Sequence, residues 1–134
     1  MVNVGAKPAQ RRRAVAGAVL VCEPATIRAL KRGALPKGDV LTVAQIAGIQ
    51  AAKRTADLIP LCHPLALTHV AVSFCVKRDR VEIECAAETA APTGVEMEAL
   101  TGASMAALTL YAMCKAVDQT MRVEGVRLLE KTKS

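Results

Sequence analysis

Two carboxylates, Glu96 and Glu98, stand at the head of a long apolar run, and one amine, Lys115, closes that run about five helical turns later. Carboxylates and amines are the groups that take and give protons in general acid–base catalysis. At a helix start the carboxylates are also what backbone N–H groups and the macrodipole favour, so ordinary helix-end charge accounts for them equally simply. Lys115 has no such account. An amine in so apolar a segment either snorkels to water or is held for a purpose. Cys62-His63 lies between Pro60 and Pro64; His63 and His69 are too isolated, and the cysteines too scattered, to match a zinc spacing. Lys37 beside Gly38, Lys53-Arg54, Arg12 and Lys131 form a dispersed set of cations. Each alone reads as solvated surface charge; together they suit a triphosphate, although no Walker-type loop is there to cradle one.

These groups need elements to position them. Ala14 to Cys22, rich in β-branched Val, reads as a strand ending at Glu23-Pro24. Met1 to Arg13 reads as a polar surface arm. Pro24 opens a short helix to about Arg32, closed by Gly33. Leu35 to Asp39 is a loop by composition, and Thr42 is the expected N-cap of a helix from Val43 to about Thr55. Asp57 to Leu65, with two prolines, is expected to be irregular. From Thr68 the period becomes two, through Val70, Val72, Phe74 and Val76 and again through Val81, Ile83 and Cys85, with Arg78-Asp79-Arg80 between them: an antiparallel pair. A long helix spans about Val95 to Asp118, apolar nearly all round, and an imperfectly alternating strand runs from Arg122 to Lys131. The order fits an α+β fold, ferredoxin-like, in which an antiparallel sheet carries helices packed on one face.

The chain has 134 residues, enough for a single domain and one core. Phe74 and Tyr111 are its only aromatics, so the core must come from Val, Ile, Leu, Met and small Ala, which lets helices and sheet approach closely. A net charge of +6 favours an anionic partner. The near absence of aromatic stacking platforms argues against single-stranded nucleic acid and for a phosphate-bearing small molecule. Five cysteines cannot all pair, which fits a reducing compartment, and the sequence carries neither signal-peptide flanks nor an unbroken spanning segment. The expectation is a soluble intracellular protein with no membrane partner.

Lys53-Arg54-Thr55-Ala56-Asp57-Leu58-Ile59-Pro60-Leu61-Cys62-His63-Pro64-Leu65 closely resembles the signature loop of cyclic pyranopterin monophosphate synthases, the molybdenum cofactor biosynthesis protein C family. Thr93-Gly94-Val95-Glu96-Met97-Glu98-Ala99-Leu100-Thr101 is similar to the second signature of that family, and Leu108 through Val117 to its third. Lys37-Gly38-Asp39 and Ala44 to Ala52 extend the likeness over essentially the whole chain. The resemblance implies small ferredoxin-like subunits assembled as homohexamers, trimers of dimers, with sites at subunit interfaces. It implies a lyase that converts 3′,8-cyclo-7,8-dihydro-GTP into cyclic pyranopterin monophosphate and pyrophosphate. A radical S-adenosylmethionine GTP cyclase would supply the substrate. No redox cofactor and no resident metal are implied, with Mg2+ accompanying the triphosphate as an option. The compartment would be the cytoplasm of a bacterium, or the mitochondrial matrix of a eukaryote.

Roles follow by position from the same resemblance. Lys115 and Lys37 match lysines beside the reacting nucleotide, suited to proton transfer. Arg12, His63 and Lys131 match positions suited to the triphosphate and its departing pyrophosphate, and Lys53 is a further phosphate candidate. Glu96 and Glu98 match site carboxylates, while Cys62 and Met97, inside the two signatures, go with them as substrate-binding positions.

The chain also departs from the pattern. Where the family's third signature reads Tyr-Asp-Met-Cys-Lys, it has Tyr111-Ala112-Met113-Cys114-Lys115, so the catalytic position one turn before Lys115 holds only a methyl group. Asn3 replaces an acid, and Lys131-Thr132-Lys133-Ser134 stands where a Gly-rich tail is expected. Ala112 makes a non-catalytic nucleotide-binding homologue the leading alternative to a lyase. A basic RNA-binding module of the same fold is a third reading, opposed by the missing aromatics and by Glu96 and Glu98.

Overall fold

The computed structural model describes residues 1–134. The elements run β1 (Gln10–Val21), α1 (Pro24–Lys31), α2 (Val40–Lys53), α3 (Thr55–Leu58), β2 (Leu67–Val76), β3 (Arg80–Ala91), α4 (Glu96–Cys114) and β4 (Arg122–Lys133). One four-stranded sheet has the order β2-β3-β1-β4, with every neighbouring pair antiparallel. This is the α+β, ferredoxin-like arrangement expected from the element order. Alternation along the strands sets the core. Ala14, Ala16, Ala18 and Leu20 of β1 stand opposite Ala87, Cys85, Ile83 and Val81 of β3, and all eight are buried in one cluster with the apolar residues of α4.

Small residues make this packing close. The α2–α4 contact centres on Gly48 and Gly102: a Cβ on Gly48 would stand 2.9 Å from the Gly102 carbonyl, and one on Gly102 would stand 2.5 Å from Cys85 Sγ. The glycines therefore let the two helices and β3 meet almost backbone to backbone, as the Ala-rich composition required.

Several boundaries differ from the sequence reading. β1 begins at Gln10, so Arg11 to Arg13 belong to the sheet and not to a surface arm. Pairing on both sides, to β3 and β4, holds this polar stretch extended where side-chain periodicity gives no sign of it. α2 begins at Val40, because Asp39 and not Thr42 is the cap: the Asp39 carboxylate accepts from Thr42 N at 3.2 Å and Thr42 Oγ1 at 2.8 Å. The turn α3 carries helical structure as far as Leu58, into a segment expected to be irregular; the prolines act only after it. β3 runs six residues past Cys85. The uneven alternation in β4 comes from two register shifts against β1.

α4 stops at Cys114, short of Asp118. Asp118 is what turns the chain. Its buried carboxylate accepts from Glu23 N at 2.9 Å, Thr26 Oγ1 at 2.8 Å, Thr120 N at 2.9 Å and Thr120 Oγ1 at 2.7 Å, tying the end of α4 to the start of α1. Burial works against its charge, but these donors win and bring the carboxyl down from its usual 3.8 to about 2. Asp118→Ala leaves the Glu23 and Thr120 amides and two hydroxyls without this acceptor and is expected to cost about 2–4 kcal/mol in urea unfolding. Because the folded carboxyl titrates below the unfolded one, the contribution is full above about pH 4 and is lost as the pH falls toward 2. Asp118→Asn should therefore show a flatter stability profile across that acid window. An unchanged profile would refute the role.

Candidate active site

The sequence-selected residues gather at the two ends of α4. At its N-terminus, Glu96 and Glu98 occupy the first turn. Lys131 of β4 pairs with Glu96, Nζ to Oε1 at 3.2 Å. Arg12 comes up beneath them from β1, directly opposite Lys133 of β4. It is buried, contrary to the reading of it as solvated surface charge, and donates through Nη2 to the Pro92 carbonyl at 3.3 Å while its Nε has no partner. A buried guanidinium N–H without an acceptor is costly, and it leaves a donor free to meet an acceptor from outside the chain. The adjoining cavity, about 390 Å³, is lined by Lys7, Arg12, Arg13, Glu96, Lys131, Thr132 and Lys133, five cations against one carboxylate. Such a lining is built for a multiply charged oxyanion.

Glu98, one position beyond the exposed Met97, is turned inward and buried. Burial pushes its carboxyl above the usual range, its backbone N–H opposes that, and Glu96 adds to it. Glu98 in turn helps burial to raise the Cys62 thiol, so loop and helix start share one electrostatic environment. The shift favours the protonated thiol over the thiolate. His63 donates from Nε2 to the Val2 carbonyl at 2.6 Å, which brings the N-terminal arm onto the signature loop. Lys53 is the exposed last residue of α2 and makes none of the ion pairs.

The other end of α4 holds the lysines. Lys37, in the loop before α2, donates from Nζ to the Ala112 carbonyl at 3.3 Å. Lys37, Tyr111, Lys115, Ala116 and Gln119 line an open cavity of about 430 Å³. Ala112 lies one helical turn before Lys115, the C-cap of α4, and Ala116 and Gln119 follow in the turn beyond the helix. No acidic side chain lines this cavity.

At 1.5 Å per residue, Glu96 and Lys115 are about 28 Å apart along the axis of α4. One chain thus carries two half-sites, a basic one with carboxylates and a lysine pair. The sequence reading named residues of both, and the resemblance implied sites at subunit interfaces. The reading missed Lys7, Arg13 and Lys133 in the first and Tyr111 and Gln119 in the second. Period-two spacing along β4 could have found Lys133 from Lys131, whereas Gln119 lies past the end of α4, where no helical pattern points to it. A third hollow, about 380 Å³ on the open face of the sheet, includes Glu82, Glu84 and Arg127 but none of the selected residues.

The comparisons with known proteins bear on all of this. The sequence pattern of the MoaC family matches residues 1–134. The protein named cyclic pyranopterin monophosphate synthase in Chloroflexus aggregans is 53% identical over 133 residues, covering 98% of this chain and 81% of that protein. Those of the same name in Rhodospirillum rubrum and a Roseiflexus species are 57% and 54% identical, each over 98% of this chain and over 81% and 85% of their own length. With a match from its first residue to its last and relatives more than half identical along nearly all of it, the chain belongs to the MoaC family.

Proposed function

We propose that the chain is a cyclic pyranopterin monophosphate synthase, the lyase of molybdenum cofactor biosynthesis that turns 3′,8-cyclo-7,8-dihydro-GTP into cyclic pyranopterin monophosphate and pyrophosphate. The observation that carries the reading is the cavity under the N-terminus of α4, where Arg12 and Lys131 stand among five cations. A triphosphate held there has its departing pyrophosphate neutralised as it leaves. Glu98, buried at the head of α4, is the carboxyl we assign to the N–H donors of the guanine-derived ring. Lys37 and Lys115 supply amines for the proton transfers of the ring rearrangement. His63, Lys53, Cys62 and Met97 are contact positions around the nucleotide.

A nucleoside triphosphate does not span about 28 Å from one end of α4 to the other. The working site therefore joins the basic half-site of one subunit to the lysine half-site of another. Val43, Ile46, Leu58, Leu61, Met97 and Leu108 are exposed apolar residues on and beside the helices, and Val126, Leu128 and Leu129 are exposed on β4. Apolar surface on two sides of the subunit suits a homohexamer built from dimers. A radical S-adenosylmethionine GTP cyclase supplies the substrate in this reading, no redox cofactor is required, and Mg2+ travels with the triphosphate if it takes part. No helix is long and apolar enough to cross a membrane, and the cytoplasm is the compartment we assign, or the mitochondrial matrix in a eukaryote.

The test is direct titration with the cyclised dihydro-GTP, together with measurement of pyrophosphate and pterin product. Binding is expected in the chain as it stands, and Arg12→Ala is expected to weaken it at least about tenfold, with a shallower salt dependence. Absence of binding to both the chain and its Ala112→Asp form would sink the assignment. Ala112 favours a second reading, a subunit that binds the nucleotide without turning it over; binding with no turnover in either form would establish it.

A further inference from the structure

The basic balance of the chain is not confined to the two half-sites. Between Pro24 and Gly38, the stretch that forms α1 and the loop before α2, stand Arg28, Lys31, Arg32 and Lys37 and not one acid. Arg28, Lys31 and Arg32 have the three- and four-residue spacing of one helical face. All three are exposed, and none takes part in any of the five ion pairs. The acids that flank the stretch are committed: Glu23 accepts from Thr120 Oγ1 at 3.3 Å, and Asp39 caps α2. The macrodipole favours a cation in the last turn of a helix, but cations three and four residues apart repel, so helix stability accounts for one of them and not for three. Subunit contact does not account for them either. None of the large apolar residues exposed on the chain lies in α1, so nothing on this face calls for cover by a partner chain.

The face leads to the lysine half-site. Leu35 is buried and pins the connecting loop to the core, and Lys31 shares a hollow of about 420 Å³ with Gly38 and Asp39, the residues that follow Lys37. We infer that Arg28, Lys31 and Arg32 form an electrostatic capture surface that draws the nucleoside triphosphate toward Lys37 and into the composite site, without touching it once it is bound. The inference rests on the proposed function. A triphosphate carries several negative charges, and a surface of opposite sign beside a site raises its encounter rate by about tenfold or more at low salt. Such a field acts before binding. It changes the association rate and leaves dissociation and chemistry alone.

The chain supplies its own reporter, since Tyr111, its one tyrosine in a sequence without tryptophan, lines the lysine half-site. Stopped-flow quenching of Tyr111 fluorescence by the cyclised dihydro-GTP measures association in the whole protein. Arg28→Gln/Lys31→Gln/Arg32→Gln is expected to slow association about tenfold at about 0.01 M salt, where the Debye length is about 30 Å, and to match the parent at about 1 M, where it is about 3 Å. The dissociation rate, and kcat in the Ala112→Asp background, should stay within about twofold of the parent. Lys77→Gln/Arg78→Gln, which removes exposed cations from the turn between β2 and β3, should leave association within about twofold. Arg28→Lys/Arg32→Lys keeps the charge and should associate at the parent rate. Circular dichroism and thermal melting establish that each variant is folded. Parent-rate association in the triple glutamine variant, an equal loss at both salt concentrations, a loss carried by dissociation, or an equal loss in the lysine variant overturns the inference. Failure of the functional assignment looks different: neither the chain nor Ala112→Asp then gives a Tyr111 signal with the nucleotide, and the capture surface loses its ligand with it.

Discussion

Ala112→Asp is expected to raise kcat for pyrophosphate release by about a hundredfold or more, the range in which a positioned acid–base group contributes. The new carboxylate emerges one turn before Lys115 on the same helical face, and beside Lys37, whose Nζ already reaches the Ala112 carbonyl at 3.3 Å. It enters a hollow lined by two amines and no acid. A negative charge near a helix C-terminus opposes the macrodipole by about 0.3–1 kcal/mol. Ion pairs to the two exposed lysines, each worth about 0.2–1 kcal/mol, offset that, so the variant should be about as stable as the parent. KM should change little, because the triphosphate contacts come from the basic half-site and the carboxylate acts on proton transfer. Ala112→Asn is the control, matching the shape without the charge. Equal gains in Asp and Asn would assign the effect to packing, and no gain in Asp would remove position 112 from the chemistry.

The second large effect concerns which chains form the site. In the Ala112→Asp background, Arg12→Ala damages the basic half-site and Lys115→Ala the lysine half-site, and each is expected to lose about a hundredfold or more in kcat/KM. Mixed after dissociation and reassembly, the two are expected to recover about a quarter of the parent activity, since half of the dimer interfaces are then mixed and each mixed interface carries one intact site of its two. The reasoning is geometric: about 28 Å of rigid helix separates the halves within a subunit. A site completed within one chain would give no recovery on mixing, and that outcome would refute the composite site.

How much of this was legible beforehand depended on the range of the interactions involved. Local periodicity carried the β2–β3 hairpin and the long helix to within a few residues, because side-chain burial repeats every two or every 3.6 positions whatever lies on the other side. The uneven spacing of Val123, Val126 and Leu128 also recorded something real, namely the bulges that β4 makes against β1. The start of β1 was invisible, because strand pairing by backbone groups leaves no trace in the polar side chains of Gln10 to Arg13. The same blindness hid the burial of Arg12, whose surroundings come from β3, β4 and the loop before α4.

The sequence by itself determined the chemistry available here: a long apolar helix with carboxylates at one end and an amine at the other, a basic balance with few stacking surfaces, and signature stretches that mark the family. It also fixed the separation of those ends, since helical rise is the same in every protein. Only the tertiary structure decided the company each group keeps. It brought Lys37 from a distant loop to Ala112, set Arg12 and Lys131 around Glu96, left Arg12 Nε without an acceptor, and spent Asp118 on a structural clasp instead of on Lys115. These are contacts between residues far apart in the chain, and they follow from how sheet and helices pack and not from any local pattern.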